Sequence, residues 1–141
     1  MLAGYNQIAI HPDDTQKTAF ATPVANYEWK YMPFGIASSP GYFSAFMPRA
    51  FSILLKDSTI SYFLDDIFVS SAKFEEHLEK LRRVFQNFKD KNLTLKPTKC
   101  YFAQEAIAIL GHVVSAEGIS FGPDKTGAIR DITAPHNLKT L

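Results

Sequence analysis

The stretch "ISYFLDDIFVS", Ile60–Ser70, places two adjacent carboxylates, Asp65 and Asp66, inside a run that is mostly apolar or aromatic. The residues on both sides predict two short strands that turn at the Asp pair. Two interpretations fit this pattern. Asp is common in tight turns for local reasons, and paired carboxylates on a turn also present oxygen ligands to a hard divalent cation, which offsets their mutual repulsion.

Composition limits the class of protein. The 141 residues are 46% hydrophobic, which suits one globular domain with a core, and no apolar run approaches the ~18 residues of a membrane span. The single cysteine, Cys100, has no partner for an internal disulfide, and the N-terminal segment lacks a secretory pattern. The sequence therefore predicts an intracellular setting, in the cytoplasm or a virus-like particle, and no membrane partner.

Charge is distributed unevenly along the chain, although the net charge is only +1. Residues 1–71 carry four Lys or Arg against six Asp or Glu, and residues 72–141 carry eleven against eight. The acidic half contains Asp65 and Asp66, where its field would gather cations, and the basic half is the part that would face a polyanion.

The pattern of residues predicts the order β-β-α-β-β-α-β-β-α. Strands are predicted in "YNQIAIHP" (5–12), "KTAFATPVANYEWKYMPFG" (17–35), "LTLKPTKCYF" (93–102) and "AIAILGHVVSAEGISFGP" (106–123), with a hairpin turn at Ala25-Asn26. A short helix is predicted at 124–132. We expect an α+β fold in which helices pack on one face of a mainly antiparallel sheet.

Two longer helices have clearer signals. Ser39 as N-cap and Pro40 at the first helical position start one, in which Pro48 predicts a kink. The other shows an apolar face from Phe74 to Phe88. On this second helix the pairs Glu76–Lys80 and Glu79–Arg83 have the i,i+4 spacing of helix-stabilising ion pairs.

Several segments together resemble the palm of reverse transcriptases from gypsy-type LTR retrotransposons. They are, in chain order, "GYNQIAIHPDD", "KTAF", "YMPFGIASSPGYF", "FLDD", "EEHLEKLRRVF", "LTLKPTKCYF" and "ILGHVVSAEGI". A lone "LDD" means little, but so many ordered segments with sensible spacing make chance similarity improbable. The resemblance implies a palm-like polymerase fold and an RNA-directed DNA polymerase, a nucleotidyltransferase that uses Mg²⁺, or alternatively Mn²⁺.

The resemblance also implies a metal site. Asp65 would bind the two catalytic ions and Asp66 would support the site. In the family a third carboxylate precedes the "GY" segment, and counting back four places from Gly4 puts it immediately before Met1. We therefore expect residues 1–141 to be part of a reverse transcriptase domain, the palm with some of the fingers, and to be inactive alone.

Other positions carry over from the family one by one. Tyr5 matches the aromatic gate that crowds a ribose 2′-hydroxyl, and Phe34 and Gly35 match the loop beneath the incoming base. Lys99, with Lys96 competing, matches the lysine that protonates the leaving pyrophosphate. Considered without the resemblance, Tyr5 also fits the pattern of an aromatic residue in the core, and Lys99 that of a lysine exposed to solvent.

A further hairpin completes the expected site. Leu110 and Gly111 resemble the primer-grip hairpin, although Gly111 equally fits an ordinary turn glycine. Ser38, Ser44 and Phe63 replace the Asn, Gln and Tyr that the family usually has, which would weaken contacts to template or nucleotide.

The function that follows is template-directed nucleotidyl transfer within a retrotransposon polyprotein. Its expected partners are a primed RNA or DNA template, deoxynucleoside triphosphates, and the rest of the polyprotein: fingers, thumb, ribonuclease H and integrase. One alternative is a non-catalytic domesticated palm that binds RNA or a protein. A metal-dependent phosphatase fits less well, because no nucleophile motif accompanies the Asp pair.

Overall fold

The computed structural model describes residues 3–122, which divide into two compact units at Cys100 and Tyr101. The first unit begins with two 3₁₀ helices and continues with four strands, three α-helices and a last 3₁₀ turn. These elements are the 3₁₀ helices Gly4–Gln7 and Pro12–Thr18, β1 Phe20–Ala21, β2 Asn26–Tyr27, α1 Ser39–Ala50, α2 Ser52–Lys56, β3 Ser61–Phe63, β4 Asp66–Phe68, α3 Phe74–Asp90 and the 3₁₀ turn Pro97–Lys99.

Helix α1 supplies the centre of the core. Its buried face carries Phe43, Met47 and Ala50, which recur at the spacing of a helix and pack with Phe51 and Leu54 of the next turns. Phe51 and Met47 are fully buried. Helix α1 is therefore the element against which the surrounding segments pack.

The expected kink at Pro48 takes the form of a break between α1 and α2. The backbone leaves helical geometry at Phe51, three residues after the proline, where φ is −111° and ψ is 19°, although the Phe51 amide still donates to the Met47 carbonyl at 3.1 Å. Pro48 has no N–H to donate to the Ser44 carbonyl, and both residues are exposed, so water can take that place. The N-cap is Ser38 rather than Ser39, whose hydroxyl is buried and donates to the Pro33 carbonyl at 3.4 Å.

Helix α3 is amphipathic as predicted, and Val84 and Phe88 bury its inner face in the same core. The predicted Glu76–Lys80 pair is present at 2.8 Å. The predicted Glu79–Arg83 pair is wrong: Glu79 pairs instead with Arg82 at 3.1 Å.

Arg83 instead joins a hydrogen-bond network that follows the end of α2. Its guanidinium donates to the Asp57 carboxylate and, at 2.9 Å, to the Thr59 hydroxyl, which itself donates to Asp57 at 2.6 Å. Thr59 is buried, so satisfying its hydroxyl favours this geometry over an exposed i,i+4 pair. The Thr59 hydroxyl and then Arg83 lower the pKa of Asp57 to about 2.

The described part of the second unit, residues 101–122, contains a three-stranded antiparallel meander. Its strands are β5 Ala106–Ile109, β6 His112–Ser115 and β7 Gly118–Phe121, in the order β5-β6-β7. The register pairs Ile109 with His112 and Ser115 with Gly118, which leaves two-residue turns at 110–111 and 116–117. The turn predicted around Glu117-Gly118 therefore lies one residue earlier.

Three strand predictions need correction. Residues 5–12 form no strand: after the 3₁₀ helix they contribute only a single bridge between Ala9 and Tyr31. Residues 93–102 contain only the 3₁₀ turn, because Pro97 cannot donate to a ladder. The hairpin predicted at Ala25-Asn26 turns instead at Thr22 to Ala25, where the Thr22 hydroxyl and amide both donate to the Ala25 carbonyl.

The α+β class is confirmed, since the described residues mix helices with antiparallel strands. Those strands lie in three separate sheets, β1-β2, β3-β4 and β5-β6-β7, rather than in one. Each strand is two to four residues long, at or below the short end of the usual range. Between residues 3 and 122 no helix is long and apolar enough to cross a membrane, and the helix predicted at 124–132 falls outside the described residues.

Candidate active site

The Asp pair lies on a two-residue hairpin. Strand β3 pairs with β4 so that Phe63 faces Asp66, and Leu64 and Asp65 form the turn. The turn is thus one residue earlier than predicted, with Asp65 at its tip and Asp66 opening β4. Leu64 has φ of +51°, a left-handed conformation that strains a residue with a side chain.

Gly4 brings the N-terminal segment against this hairpin. A Cβ placed on Gly4 would lie 3.8 Å from Cβ of Asp65 and 2.9 Å from Cε2 of Phe43. Because only a residue without a side chain fits there, the 3₁₀ helix can pass between the core and the hairpin. The implied metal site predicts Met1 and Tyr5 on a strand next to the Asp65 hairpin. The Gly4-Tyr5 segment is indeed next to this hairpin, but it forms a 3₁₀ helix, and Met1 is outside the described residues.

Tyr5 stands between the core and the surface. Its ring makes edge contacts with Phe43, at 5.1 Å between centroids, and with Phe34, at 5.3 Å. Phe43 is only 2% exposed, whereas Phe34 is 64% exposed. The structure therefore brings together three separate stretches of sequence: the Gly4-Tyr5 segment, Phe34 and the hairpin of Asp65. Tyr5 is also in part a packing residue, as the alternative interpretation had it.

The loop after Phe34 is open. Gly35 has φ of +91°, a conformation that favours glycine, and nothing lies within 4 Å of the position where its Cβ would be. Phe34 and Gly35 lie on the wall of an open cavity of about 710 Å³, together with Trp29, Met32 and Tyr42. The surface around Gly35 is therefore open to a ligand from solvent.

The two candidate lysines lie at the 3₁₀ turn Pro97–Lys99. Lys99 ends the 3₁₀ turn and is exposed, and Lys96 precedes that turn. Within residues 3–122 no hydrogen bond or ion pair joins either lysine side chain to Tyr5 or Phe34. The Lys96 carbonyl accepts instead from the Lys99 amide at 2.9 Å and from the Cys100 thiol at 3.3 Å.

The second unit carries the other expected hairpin. Leu110 and Gly111 form the turn between β5 and β6, with φ of +51° and +77°. Positive φ at both positions is the signature of the tight turn that matches strand twist. The Gly111 carbonyl accepts from the Gly122 amide at 3.1 Å, so it also closes the end of the meander.

The carboxylates at the hairpin are suitable ligands for a divalent cation, but the described residues bring too few ligands together to hold one. Asp65 and Asp66 offer the carboxylate oxygens that hard cations prefer. Among residues 3–122, however, no three His, Cys, Asp or Glu side chains gather where one ion could be held. The described residues supply at most a part of a two-metal site.

Sequence reasoning missed two contributors. The motif assigned no role to Gly4 itself, yet its lack of a side chain sets the approach to Asp65. Phe43 is the core residue that supports both Gly4 and Tyr5. The available signal for Gly4 was an isolated glycine beside a strand pattern, which suggests a close backbone approach. No local signal linked Phe43 to the site.

Comparison with known proteins identifies the family of this chain. The sequence model described as reverse transcriptase (RNA-dependent DNA polymerase) matches residues 1–114. The chain belongs to the reverse transcriptase family. Members of this family generally use divalent metal ions.

Related sequences come from transposon polyproteins. The retrovirus-related Pol polyprotein from transposon 297 of Drosophila melanogaster is 36% identical over 138 residues, covering 98% of this chain and 13% of that polyprotein. The corresponding polyprotein from transposon opus, also of Drosophila melanogaster, is 31% identical over 100% of this chain and 14% of its own length. Gypsy-type ancestry is consistent with these relatives, and the chain spans a small part of each.

A solved structure shares the fold. The foamy viral protease-reverse transcriptase in complex with an RNA/DNA hybrid superimposes with a TM-score of 0.77 and 26% identity, covering 97% of this chain and 18% of that one. This similarity supports the palm-like fold that the sequence predicted.

Proposed function

We propose that this chain forms part of the palm of an RNA-directed DNA polymerase and carries one side of its nucleotidyl-transfer site. The observation that carries the proposal is the packing of the Gly4–Tyr5 segment against the Asp65 hairpin. Family membership gives the reaction class, and this juxtaposition puts an aromatic side chain and a carboxylate on neighbouring segments. Such an arrangement suits binding of a nucleotide together with a cation.

Asp65, supported by Asp66, would hold a divalent cation, for which we propose Mg²⁺, with Mn²⁺ as a substitute. When bound, the cations of a two-metal site activate the attacking hydroxyl and neutralise charge on the leaving group. The described residues do not complete that shell. We therefore expect the 141-residue chain alone to support no primer extension.

The nucleotide itself would lie against the aromatic side of the site. Tyr5, fixed from behind by Phe43, would face the sugar and exclude a 2′-hydroxyl, and Phe34 with Gly35 would support the base. Lys99 would protonate the pyrophosphate leaving group, because a cation there stabilises developing negative charge. Leu110 and Gly111 would contact the primer.

The partners follow from the same proposal. They are a primed RNA or DNA template and deoxynucleoside triphosphates, and the foamy viral relative was solved with an RNA/DNA hybrid. The related transposon polyproteins are much longer than this chain. Fingers, thumb, ribonuclease H and integrase are therefore proposed as further partners, and the cytoplasm or a virus-like particle as the setting.

A graft tests the proposal. The segment of the transposon 297 polyprotein that matches this chain is replaced by the chain itself, and incorporation of labelled nucleotide is measured on a primed RNA template with magnesium. We expect extension by the graft and none by the 141-residue chain alone. Asp65→Asn should reduce extension by the graft to background.

The matched control is Asp90→Asn. Asp90 is an exposed carboxylate at the end of α3 that accepts from Gln86 at 2.7 Å, a contact that an amide oxygen can replace. The control should keep full extension. Extension that survives Asp65→Asn, or a graft that circular dichroism shows to be folded but that extends no primer, would contradict the proposal.

A further inference from the structure

The side chain of Gln7 makes a two-point contact with a distant backbone. Its amide nitrogen donates to the Thr94 carbonyl at 3.1 Å, and its amide oxygen accepts from the Thr94 N–H at 2.6 Å. The two residues are 87 positions apart in sequence. Gln7 thus pairs with Thr94 as a neighbouring strand would, although neither residue belongs to a strand.

Thr94 is held by rigid structure. Its neighbour Leu93 is 7% exposed and belongs to the core. The Leu93 amide donates to the Phe88 carbonyl at 2.8 Å, and Asn92, with φ of +53°, makes the left-handed step that closes α3. Gln7 therefore ties the first 3₁₀ helix to the C-terminal end of a seventeen-residue helix.

The next residue, Ile8, which caps the same end of this 3₁₀ helix, is tied to the segment that leads to Phe34. The Met32 amide donates to the Ile8 carbonyl at 2.9 Å, two residues before Phe34. Tyr5 lies within this short helix and touches Phe34 and Phe43 only through ring edges. The ring contacts hold the side chain of Tyr5, and the two ties of Gln7 and Ile8 hold the backbone from which that side chain projects.

We propose that Gln7 is a positioning residue that sets the place of Tyr5 and thereby the selectivity for the sugar of the nucleotide. The contact between Tyr5 and the sugar rests on the proposed function, whereas the coupling of Gln7 to Tyr5 does not. Gln7 itself touches no substrate: it acts through the turn Gly4–Gln7.

The coupling is tested on the 141-residue chain. In Gln7→Met both hydrogen bonds are lost at nearly constant length, and protection of the Thr94 amide from hydrogen exchange should fall about tenfold. The Tyr5 ring resonances should shift. The matched control, Gln16→Met, removes a glutamine whose amide donates only to the nearby Asp13 carbonyl, at 3.2 Å, and should change neither readout.

Gln7→Glu separates positioning from folding. At neutral pH its carboxylate accepts from Thr94 but donates nothing, whereas protonation below a pKa of about 4.3 restores a donor. On acidification, the protection of the Thr94 amide, measured relative to the unmodified chain at the same pH, should recover. The Tyr5 resonances should return toward their positions in the unmodified chain. If Tyr5 stays unmoved in Gln7→Met while Thr94 is deprotected, the inference is overturned.

The consequence for selectivity is measured in the graft. Gln7→Met should raise KM for deoxynucleotides and lower the preference over ribonucleotides about tenfold, with kcat nearly unchanged, because small misplacement of a contacting group is costly. An active graft with unchanged preference would overturn the inference. A folded graft without activity would count against the proposed function instead, and the Tyr5 resonances would still decide the role of Gln7.

Discussion

The two sides of the candidate site meet at Gly4 but are built by different physical means. On the aromatic side, Tyr5 rests on Phe43, which the core buries almost completely. On the acidic side, Asp65 and Asp66 are exposed on a short hairpin whose turn residue Leu64 is strained. Packing within the chain thus fixes the shape of the site, while its charge chemistry needs ligands that residues 3–122 do not gather.

The largest expected effect removes the support of the aromatic side. Phe43→Ala should lower the free energy of unfolding by about 3–5 kcal/mol, because it deletes a buried ring beneath both Gly4 and Tyr5. Tyr42→Ala is the matched control: Tyr42 precedes it in α1, is 67% exposed and should cost about 0.5 kcal/mol or less. Urea unfolding of both variants checks this. Equal losses would mean that packing does not build this side.

A smaller effect is expected where the two sides meet. Gly4→Ala places a Cβ 2.9 Å from the Phe43 ring, and such overpacking costs about 1–3 kcal/mol. Gly41→Ala, in helix α1 with nothing within 4 Å of its added Cβ, should instead be stabilising by about 0.5–1 kcal/mol. Thermal unfolding should shift in opposite directions, and a neutral Gly4→Ala would show that the approach to Asp65 is not tight.

The carboxylate of Asp57 can be compared with those of the acidic side, because Thr59 and Arg83 hold it by hydrogen bonds within the chain. Its folded pKa of about 2 is below the ordinary 3.8, so its stabilisation is complete above pH 4 and is lost as pH falls toward 2. In Asp57→Asn the acid-dependent loss of stability should be smaller. Thr59→Val and Arg83→Met should each reduce that loss, because the hydroxyl and the guanidinium both lower the pKa of Asp57. Identical acid profiles for all of these chains would contradict the assignment.

The sequence predicted best what depends on local pattern. The amphipathic face of α3, the presence of helix α1 and the hairpin that carries Asp65 all follow from periodicity and turn chemistry, although α1 starts at Ser39, one residue before the predicted start. The resemblance supplied the site residues, and geometry then brought Tyr5 together with Phe34. Local signals were sufficient where the interactions themselves are local.

The failures were tertiary in origin. Arg83 leaves its helical partner for Asp57 because buried Thr59 needs a donor, and no spacing rule encodes that choice. Residues 5–12 have the composition of a strand, but Gly4 must pass Phe43 closely and the chain turns there. Thr94 lies in a segment predicted as a strand, and it pairs with the side chain of Gln7 instead of with a backbone.

The most direct test of the central claim is magnesium binding to the 141-residue chain. Two carboxylates on one hairpin leave most of an octahedral shell to water, so titration calorimetry should show little heat up to millimolar magnesium, and Asp65→Asn should give the same trace. That result is predicted if the chain fixes the shape of the site but not its complete metal shell. A saturable magnesium site that is lost in Asp65→Asn would contradict this account.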